Sequence, residues 1–258
     1  MTKRVFTVCG GVAAALLAQP AAAKVGVLTE STDYSGPYGK RQEMTIESSW
    51  DFGKTALVLN ASHGKRKFEG ASFKGYQLST SVYRDWNERI SSRTSVSLAD
   101  NSPVFARREL VQDISYKLVP NALVTVGGKY ASYYGGVDVA SLHAGGSLYF
   151  RGGFATYRFG VHDVEGRGRQ YSHLASVRLK DPKGSGQTQM WVSAGTALHE
   201  QEVVAAGRHG KYRGVHLQRV QPLAGPLALS LGLGRTWYDT PAGDYQGTKA
   251  TVGFTISR

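Results

Sequence analysis

The chain has 258 residues, a net charge of +12 and a mean hydropathy of −0.28. No long apolar run follows the first residues, which excludes a bundle of transmembrane helices. The positive charge first suggests a nucleic-acid partner. The basic residues instead cluster at alternate connections between predicted strands, so no nucleic-acid partner is expected.

The first 23 residues have the three parts of a secretory leader. Lys3 and Arg4 give a basic start, an apolar stretch follows, and a run of three alanines ends at Ala23. Cleavage is expected between Ala23 and Lys24, which leaves one mature domain, residues 24–258. The single cysteine, Cys9, lies in this leader, so the mature chain has no thiol and no disulfide.

Apolar and small residues alternate in the last two segments. Leucine occupies every second position from Leu227 to Leu233, and the same pattern runs from Ala250 to Ile256. Because side chains alternate between the two faces of a strand, each segment must separate an apolar from a wet environment. Tilted strands of about ten residues are what a bilayer requires of a barrel wall. We therefore predict an all-β, antiparallel up-and-down β-barrel of the outer membrane. A soluble β-sandwich is the alternative, but it does not need polar inner faces with several arginines.

Alternation and turn signals together predict fourteen strands. They lie at residues 25–34, 41–50, 54–63, 73–83, 89–99, 108–118, 122–133, 140–150, 154–163, 171–180, 187–198, 211–220, 227–238 and 247–257. Longer polar links are expected at 63–70, 100–107, 163–170, 199–210 and 239–246. Barrels place short turns in the periplasm and long loops outside, so both termini are expected in the periplasm.

Charged and polar residues on the predicted inner face are the first set of candidates. These lumen-lining residues are Arg93, Asp113, Lys117, Lys129, His143, Tyr149, Arg158, His162 and Arg178. They could pair across the interior and brace the wall, or their basic excess could favour anions in a channel. Arg158 and Arg178 are expected close together, because their strands are neighbours.

A second set of candidates is a basic rim at the predicted extracellular links. It consists of Lys65, Arg66, Lys67, Arg107, Arg108, Arg167, Arg169, Arg208 and Lys211. Such a rim would face lipopolysaccharide phosphates or acidic glycans. The alternative is ordinary solvated loop charge.

Catalytic and metal-binding patterns are absent from the sequence. There is no Gly-x-Ser-x-Gly motif and no paired-histidine zinc spacing, and no serine, histidine and acid are selected by their spacing. We therefore expect a non-enzymatic protein without a cofactor or metal.

Several segments carry a family resemblance. SLADNSPVFARREL (Ser97–Leu110), SVRLKDPKGSGQTQMWVS (Ser176–Ser193), LQRVQPL (Leu217–Leu223) and TWYDTPAGDYQG (Thr236–Gly247) resemble the YaiO family of Gram-negative outer-membrane barrels. The resemblance implies an outer-membrane location, insertion by the assembly machinery and contact with outer-membrane lipid and lipopolysaccharide. It implies no defined activity, although relatives near glycan-handling machinery suggest an exopolysaccharide partner. Such barrels usually end on Phe or Trp, whereas this chain ends on Arg258, so Phe254 or Ile256 must serve as the assembly signal.

Three functions remain open. The first is a passive channel, or a glycan-associated translocation element, for small or anionic solutes. The second is a structural surface barrel that binds envelope glycans or lipopolysaccharide through basic loops. The third is a barrel enzyme acting on lipid or protein. Conductance, glycolipid binding and lipid turnover would separate them, and the sequence leaves the oligomeric state open.

Overall fold

A closed barrel of fourteen antiparallel strands forms the whole described structure, in which each strand pairs with its neighbours in sequence and the first pairs with the last. The computed structural model describes residues 23–68, 70–166, 168–184, 186–196, 210–240 and 243–257. The predicted fold class and strand number are confirmed. Residues 1–22, most of the predicted leader, lie outside the described residues, and Ala23 and Lys24 open the first strand.

The strands lie close to their predicted positions. They are β1 (Ala23–Tyr34), β2 (Lys40–Asp51), β3 (Thr55–Phe68), β4 (Ala71–Asp85), β5 (Ile90–Ala99), β6 (Arg108–Val119), β7 (Ala122–Ser132), β8 (Asp138–Phe150), β9 (Gly153–Val164), β10 (Gly168–Lys180), β11 (Gln187–Gly195), β12 (Lys211–Pro222), β13 (Leu227–Asp239) and β14 (Tyr245–Ser257). A short 3-10 helix, Gly36–Tyr38, follows β1.

The alternation of side chains explains the wall. In β13, Leu231 and Leu233 point outward and are exposed, whereas Gly232 between them is buried on the inner face. A lipid environment accepts this outward apolar band, and the inner face keeps small and polar groups. Trp86 and Trp237 are exposed at opposite ends of the barrel, one just after β4 and the other near the last residue of β13. Interfacial aromatic residues belong at these positions. No helix among the described residues is long and apolar enough to cross a bilayer.

The two ends of the barrel differ. We call the end that holds the 120–121 and 151–152 turns and the first residue of β1 the turn end, and the opposite end the loop end. The predicted links at 63–70 and 163–170 are wrong, because β3 and β4 extend to residues 68 and 71 and β9 and β10 to 164 and 168. The strands continue because hydrogen-bonded pairing persists through the charged residues there. The predicted link at 100–107 is confirmed, and nearly all of the predicted link at 199–210 lies outside the described residues.

The connection between β5 and β6 folds into the barrel. Val104 is 2% exposed, and Phe105 is also buried. Both lie against Gly64 on β3, where an added Cβ would lie 2.5 Å from Val104 Cγ1 and 2.8 Å from Phe105 Cζ. Gly75, the cross-strand partner of Gly64, makes room for Ser102 in the same way. This connection, expected as an external loop, therefore fills part of the interior at the loop end.

Candidate functional site in the barrel interior

The interior changes character along the barrel axis. Inward side chains near the loop end, such as Thr32 and Gln170, are buried. Inward side chains near the turn end, including Lys117, Tyr149 and Arg158, are exposed although they face the lumen. The loop-end half is therefore packed with protein, and the turn-end half forms a polar chamber open to solvent.

An acid–histidine pair lies at the boundary between these two halves. His143 Nε2 on β8 lies 2.6 Å from Asp113 Oδ1 on β6, and Arg93 Nη1 on β5 lies 3.8 Å from Asp113 Oδ2. Arg158 on β9 acts electrostatically on the same carboxylate. The pair sits over Gly127, whose missing side chain leaves the space it occupies. Asp113 thus offsets basic groups from three other strands.

Two further candidates, Lys129 and His162, form short-range contacts. Lys129 Nζ lies 3.3 Å from Glu109 Oε2. His162 makes hydrogen bonds of 2.8 Å to Ser141 Oγ and 2.7 Å to Ser172 Oγ. Within this band, hydrogen bonding and ion pairing hold the side chains against the wall.

The contacts of the two histidines bear on catalysis. His162 contacts two serine hydroxyls without a carboxylate, whereas His143 contacts a carboxylate without a serine, among the contacts of the described residues. A Ser–His–Asp arrangement needs both contacts on one imidazole. In the described part of the chain, no cluster of three His, Cys, Asp or Glu side chains could hold a metal ion.

Arg178 lies apart from Arg158, and the expectation that they are close is wrong. Arg178 pairs across the strands with Phe154, whereas Arg158 pairs with Leu174, four positions away. At the rise of a strand this separates the two positions by about 13 Å along the wall. Arg178 instead stacks over the Phe154 ring at 4.9 Å and donates through Nε to Gln189 Oε1 at 2.7 Å.

Most described members of the predicted basic rim are exposed at the loop end. These are Lys67, Arg107, Arg108, Arg169 and Lys211, with Lys65 half-buried, while Arg167 and Arg208 lie outside the described residues. Arg66 contradicts the prediction, because its side chain is 3% exposed and points into the barrel. Since β3 runs through Phe68, strand alternation turns Lys65 and Lys67 outward and Arg66 inward.

A cluster that the sequence analysis missed surrounds Arg66. Its guanidinium lies 4.2 Å from the centroid of the Tyr34 ring, which contacts Tyr245 at 6.3 Å between centroids. Tyr38 stacks on Tyr245 at 3.7 Å. Arg41, the cross-strand partner of Arg66, is equally buried. The usable sequence signal was the two-residue period of the strand, which places Ser62, Gly64, Arg66 and Phe68 on one face.

The amino-acid sequence matches the model of a known family over most of its length. The sequence model of the YaiO membrane beta barrel domain covers residues 22–202. The chain belongs to the YaiO family. The wall of this YaiO barrel continues past the matched residues, because β12, β13 and β14 are needed to close it.

Solved structures resemble the YaiO barrel in fold. The CymD monoaromatic hydrocarbon channel matches with a TM-score of 0.65 at 9% identity, over 95% of this chain and 91% of that one. A bacterial polysaccharide outer membrane secretin matches with a TM-score of 0.59 at 9% identity, over 91% and 97% of the two chains. The toluene transporter TodX of Pseudomonas putida gives 0.57 at 8% identity, over 93% and 90%.

These comparisons establish the location of the protein. Its chemistry has to be argued from the residues of the barrel interior. At such low identities the likeness to solved structures concerns the fold alone. The family match and this fold together place the YaiO barrel in the outer membrane.

Proposed function

We propose that this YaiO barrel is a passive channel that prefers small anionic solutes, either by itself or as part of glycan translocation. The observation that carries the proposal is the polar chamber in the turn-end half, where inward basic side chains are exposed to solvent. A wall that only needed bracing would neutralise such groups with acids at short range.

The balance of charge in this chamber favours anions. Lys117, Arg158 and Lys180 point inward and are exposed, and the described ion pairs include none of them. The exposed inward acids of this half are Glu47, Asp51 and Asp85, and Lys24 is a further exposed inward base. Asp113 is engaged by His143 and Arg93 and also interacts with Arg158, so it offsets little of the charge of Lys117 and Lys180. Basic residues lining a pore favour anion passage.

The inward connection between β5 and β6 should lower the conductance of the barrel. Val104 and Phe105 fill the lumen beside Gly64 at the loop end, so a solute must pass them or displace them. The wild-type barrel is therefore expected to conduct weakly.

Planar-bilayer recording in a salt gradient tests the proposal. The reversal potential of the wild type should indicate an anion preference, and the combined change Arg158→Glu and Arg178→Glu should shift it toward cations. The matched control is Arg169→Glu, because Arg169 lies on β10 with Arg178 but points outward at the loop end. It should leave the reversal potential unchanged.

The proposal fails if correctly folded wild-type protein, identified by its heat-modifiable migration in SDS gels, conducts nothing. It also fails if both charge-reversed variants change selectivity equally. In the first case the arginines are internal braces, and a structural function takes its place.

A lysine cluster on the outer surface favours a second candidate, binding of lipopolysaccharide phosphates. Lys40 pairs with Lys67 and Lys65 with Lys74 on the outward face of β2–β4 at the loop end, with Asp33 opposite Lys40. Like charges placed opposite each other are unfavourable unless an anion offsets them. Changing Lys65, Lys67 and Lys74 to Gln should reduce the lipopolysaccharide that copurifies with the barrel. Unchanged copurification would exclude this surface.

A further inference from the structure

Two buried arginines stand side by side on the inner face of the barrel. Arg41 on β2 and Arg66 on β3 are cross-strand partners, and each is 3% exposed. Arg41 Nη2 donates to Glu43 Oε2 at 2.8 Å. The Nε and Nη1 atoms of both arginines have no hydrogen-bond partner among the described residues. Four donor nitrogens without a hydrogen-bond partner therefore lie on two adjacent, buried side chains.

Aromatic rings hold the planes of both guanidinium groups. Arg66 lies 4.2 Å from the Tyr34 centroid and 6.0 Å from that of Phe68, and Arg41 lies 5.8 Å from the Phe105 centroid. Stacking on a ring fixes the orientation of a guanidinium but uses none of its N–H groups. The two groups are thus positioned by contacts that leave their donors available.

The charges around this pair do not balance. Glu43 is the carboxylate paired with Arg41, while Glu30, the cross-strand partner of Glu43, is paired with Lys249 at 2.8 Å. Arg66 has no acidic partner within ion-pair distance among the described residues. Like charges directly opposite each other on a sheet repel, and an uncompensated buried charge is strongly unfavourable. A bound anion would remove both penalties.

We propose that Arg41 and Arg66 form a binding site for the carboxylate or phosphate group of an organic solute. A guanidinium presents parallel N–H groups that match two oxygens of such an anion. The site rests on the proposed channel function only for the route by which the solute enters.

The inward connection between β5 and β6 covers the site. Phe105 lies over Arg41 and, with Val104, packs on Gly64 one position further along the inner face from Arg66. Movement of this short connection would expose the two arginines to the lumen. The site therefore lies on the inner wall directly beside the connection that fills the loop end.

Equilibrium binding to the detergent-solubilised mature barrel tests the site without requiring conduction. Inorganic phosphate and glucuronate should each bind saturably in calorimetric titrations, whereas glucose at the same concentrations should not. Arg66→Gln and Arg41→Gln should each weaken binding at least tenfold. The matched control is Arg235→Gln, which removes a guanidinium from the exposed outward face of β13 at the loop end and should bind as the wild type does.

A conservative variant keeps the proposal testable if the glutamine variants fail to fold. Arg66→Lys retains the charge and loses the planar fork, so it should bind phosphate several-fold more weakly while folding normally. The proposal is overturned if wild type shows no saturable binding, if Arg235→Gln loses as much affinity as Arg66→Gln, or if Arg66→Lys binds as wild type does. This experiment does not measure conduction. Failure of the binding proposal can therefore be told apart from failure of the channel proposal.

Discussion

Gly127 offers the sharpest test of how the interior is packed. It lies on the inner face of β7, beneath the contact between Asp113 and His143. A Cβ placed there would overlap Asp113 Oδ1, lie 2.5 Å from His143 Nε2 and lie 2.7 Å from the carbonyl oxygen of Gln112. Because one of these neighbours is backbone, movement of side chains alone cannot make enough room. We expect Gly127→Ala to destabilise the barrel.

The cost has two parts. Forcing a methyl group into a filled site costs about 1–3 kcal/mol. If the hydrogen bond between Asp113 and His143 is lost as well, a charge-assisted contact worth about 1.5–3 kcal/mol is removed. The free energy of unfolding should therefore fall by about 1–3 kcal/mol if that hydrogen bond survives, and by about 2.5–6 kcal/mol if it is lost.

The adjacent glycine provides the control. Gly128 points outward, and its added Cβ would meet Ser141 O at 3.5 Å and Leu142 Cδ2 at 3.7 Å, which are ordinary contacts. Gly128→Ala should be neutral, or stabilising by up to about 1 kcal/mol because alanine restricts the unfolded chain. Urea titrations of refolded protein in detergent, read by heat-modifiable migration, give both free energies.

Equal stability of the two alanine variants would refute this account of the packing. A double-mutant cycle adds a second criterion, because Asp113→Ser removes one of the atoms that the methyl group would strike. Gly127→Ala should then cost less in the Asp113→Ser background than in wild type. Strict additivity would show that Asp113 is not the obstacle.

Three further outcomes are expected. Leu231→Arg should lower the free energy of unfolding by about 2–4 kcal/mol, because Leu231 faces lipid near the membrane midplane. Ser230→Arg faces the interior and should lower it less. Urea titration in lipid vesicles would measure both, and equal costs would contradict the assigned faces. A cysteine at Lys67 should react with an impermeant maleimide on intact cells and one at Asn121 should not, and the reverse pattern would invert the barrel. Phe105→Ala should increase single-channel conductance several-fold in planar bilayers, and an unchanged conductance would show that the inward connection does not obstruct the lumen.

The wall could be predicted from the sequence because strand alternation is a local signal. Leucines from Leu227 to Leu233 fix the outward face of β13, and residues paired across neighbouring strands share that face. The same rule failed for Arg66 only because a cluster of charges was interpreted as a loop. Counting the alternation onward from Ser62 through Phe68 would have turned Arg66 inward.

The contents of the lumen could not be predicted, since they depend on contacts between residues far apart in sequence. Val104 and Phe105 look like part of a polar link, and nothing near them indicates that Gly64 leaves space for them. The distance between Arg158 and Arg178 likewise depends on the stagger between β9 and β10. Periodicity tells which face a residue occupies, but not its height along the strand relative to a neighbour.

The seam between β1 and β14 has a consequence for how the chain folds. Lys24 pairs with Ser257, so the final ring closure joins the most distant parts of the sequence. Loop-closure entropy for a chain of this length is on the order of 5 kcal/mol, far above that of any hairpin. The seam should therefore form last and set the folding rate. The first residue of β1 and the last residues of β14 meet at the turn end. A circularly permuted chain that joins these two ends and opens at the 120–121 turn should therefore form the same barrel, with its strands pairing in a different order.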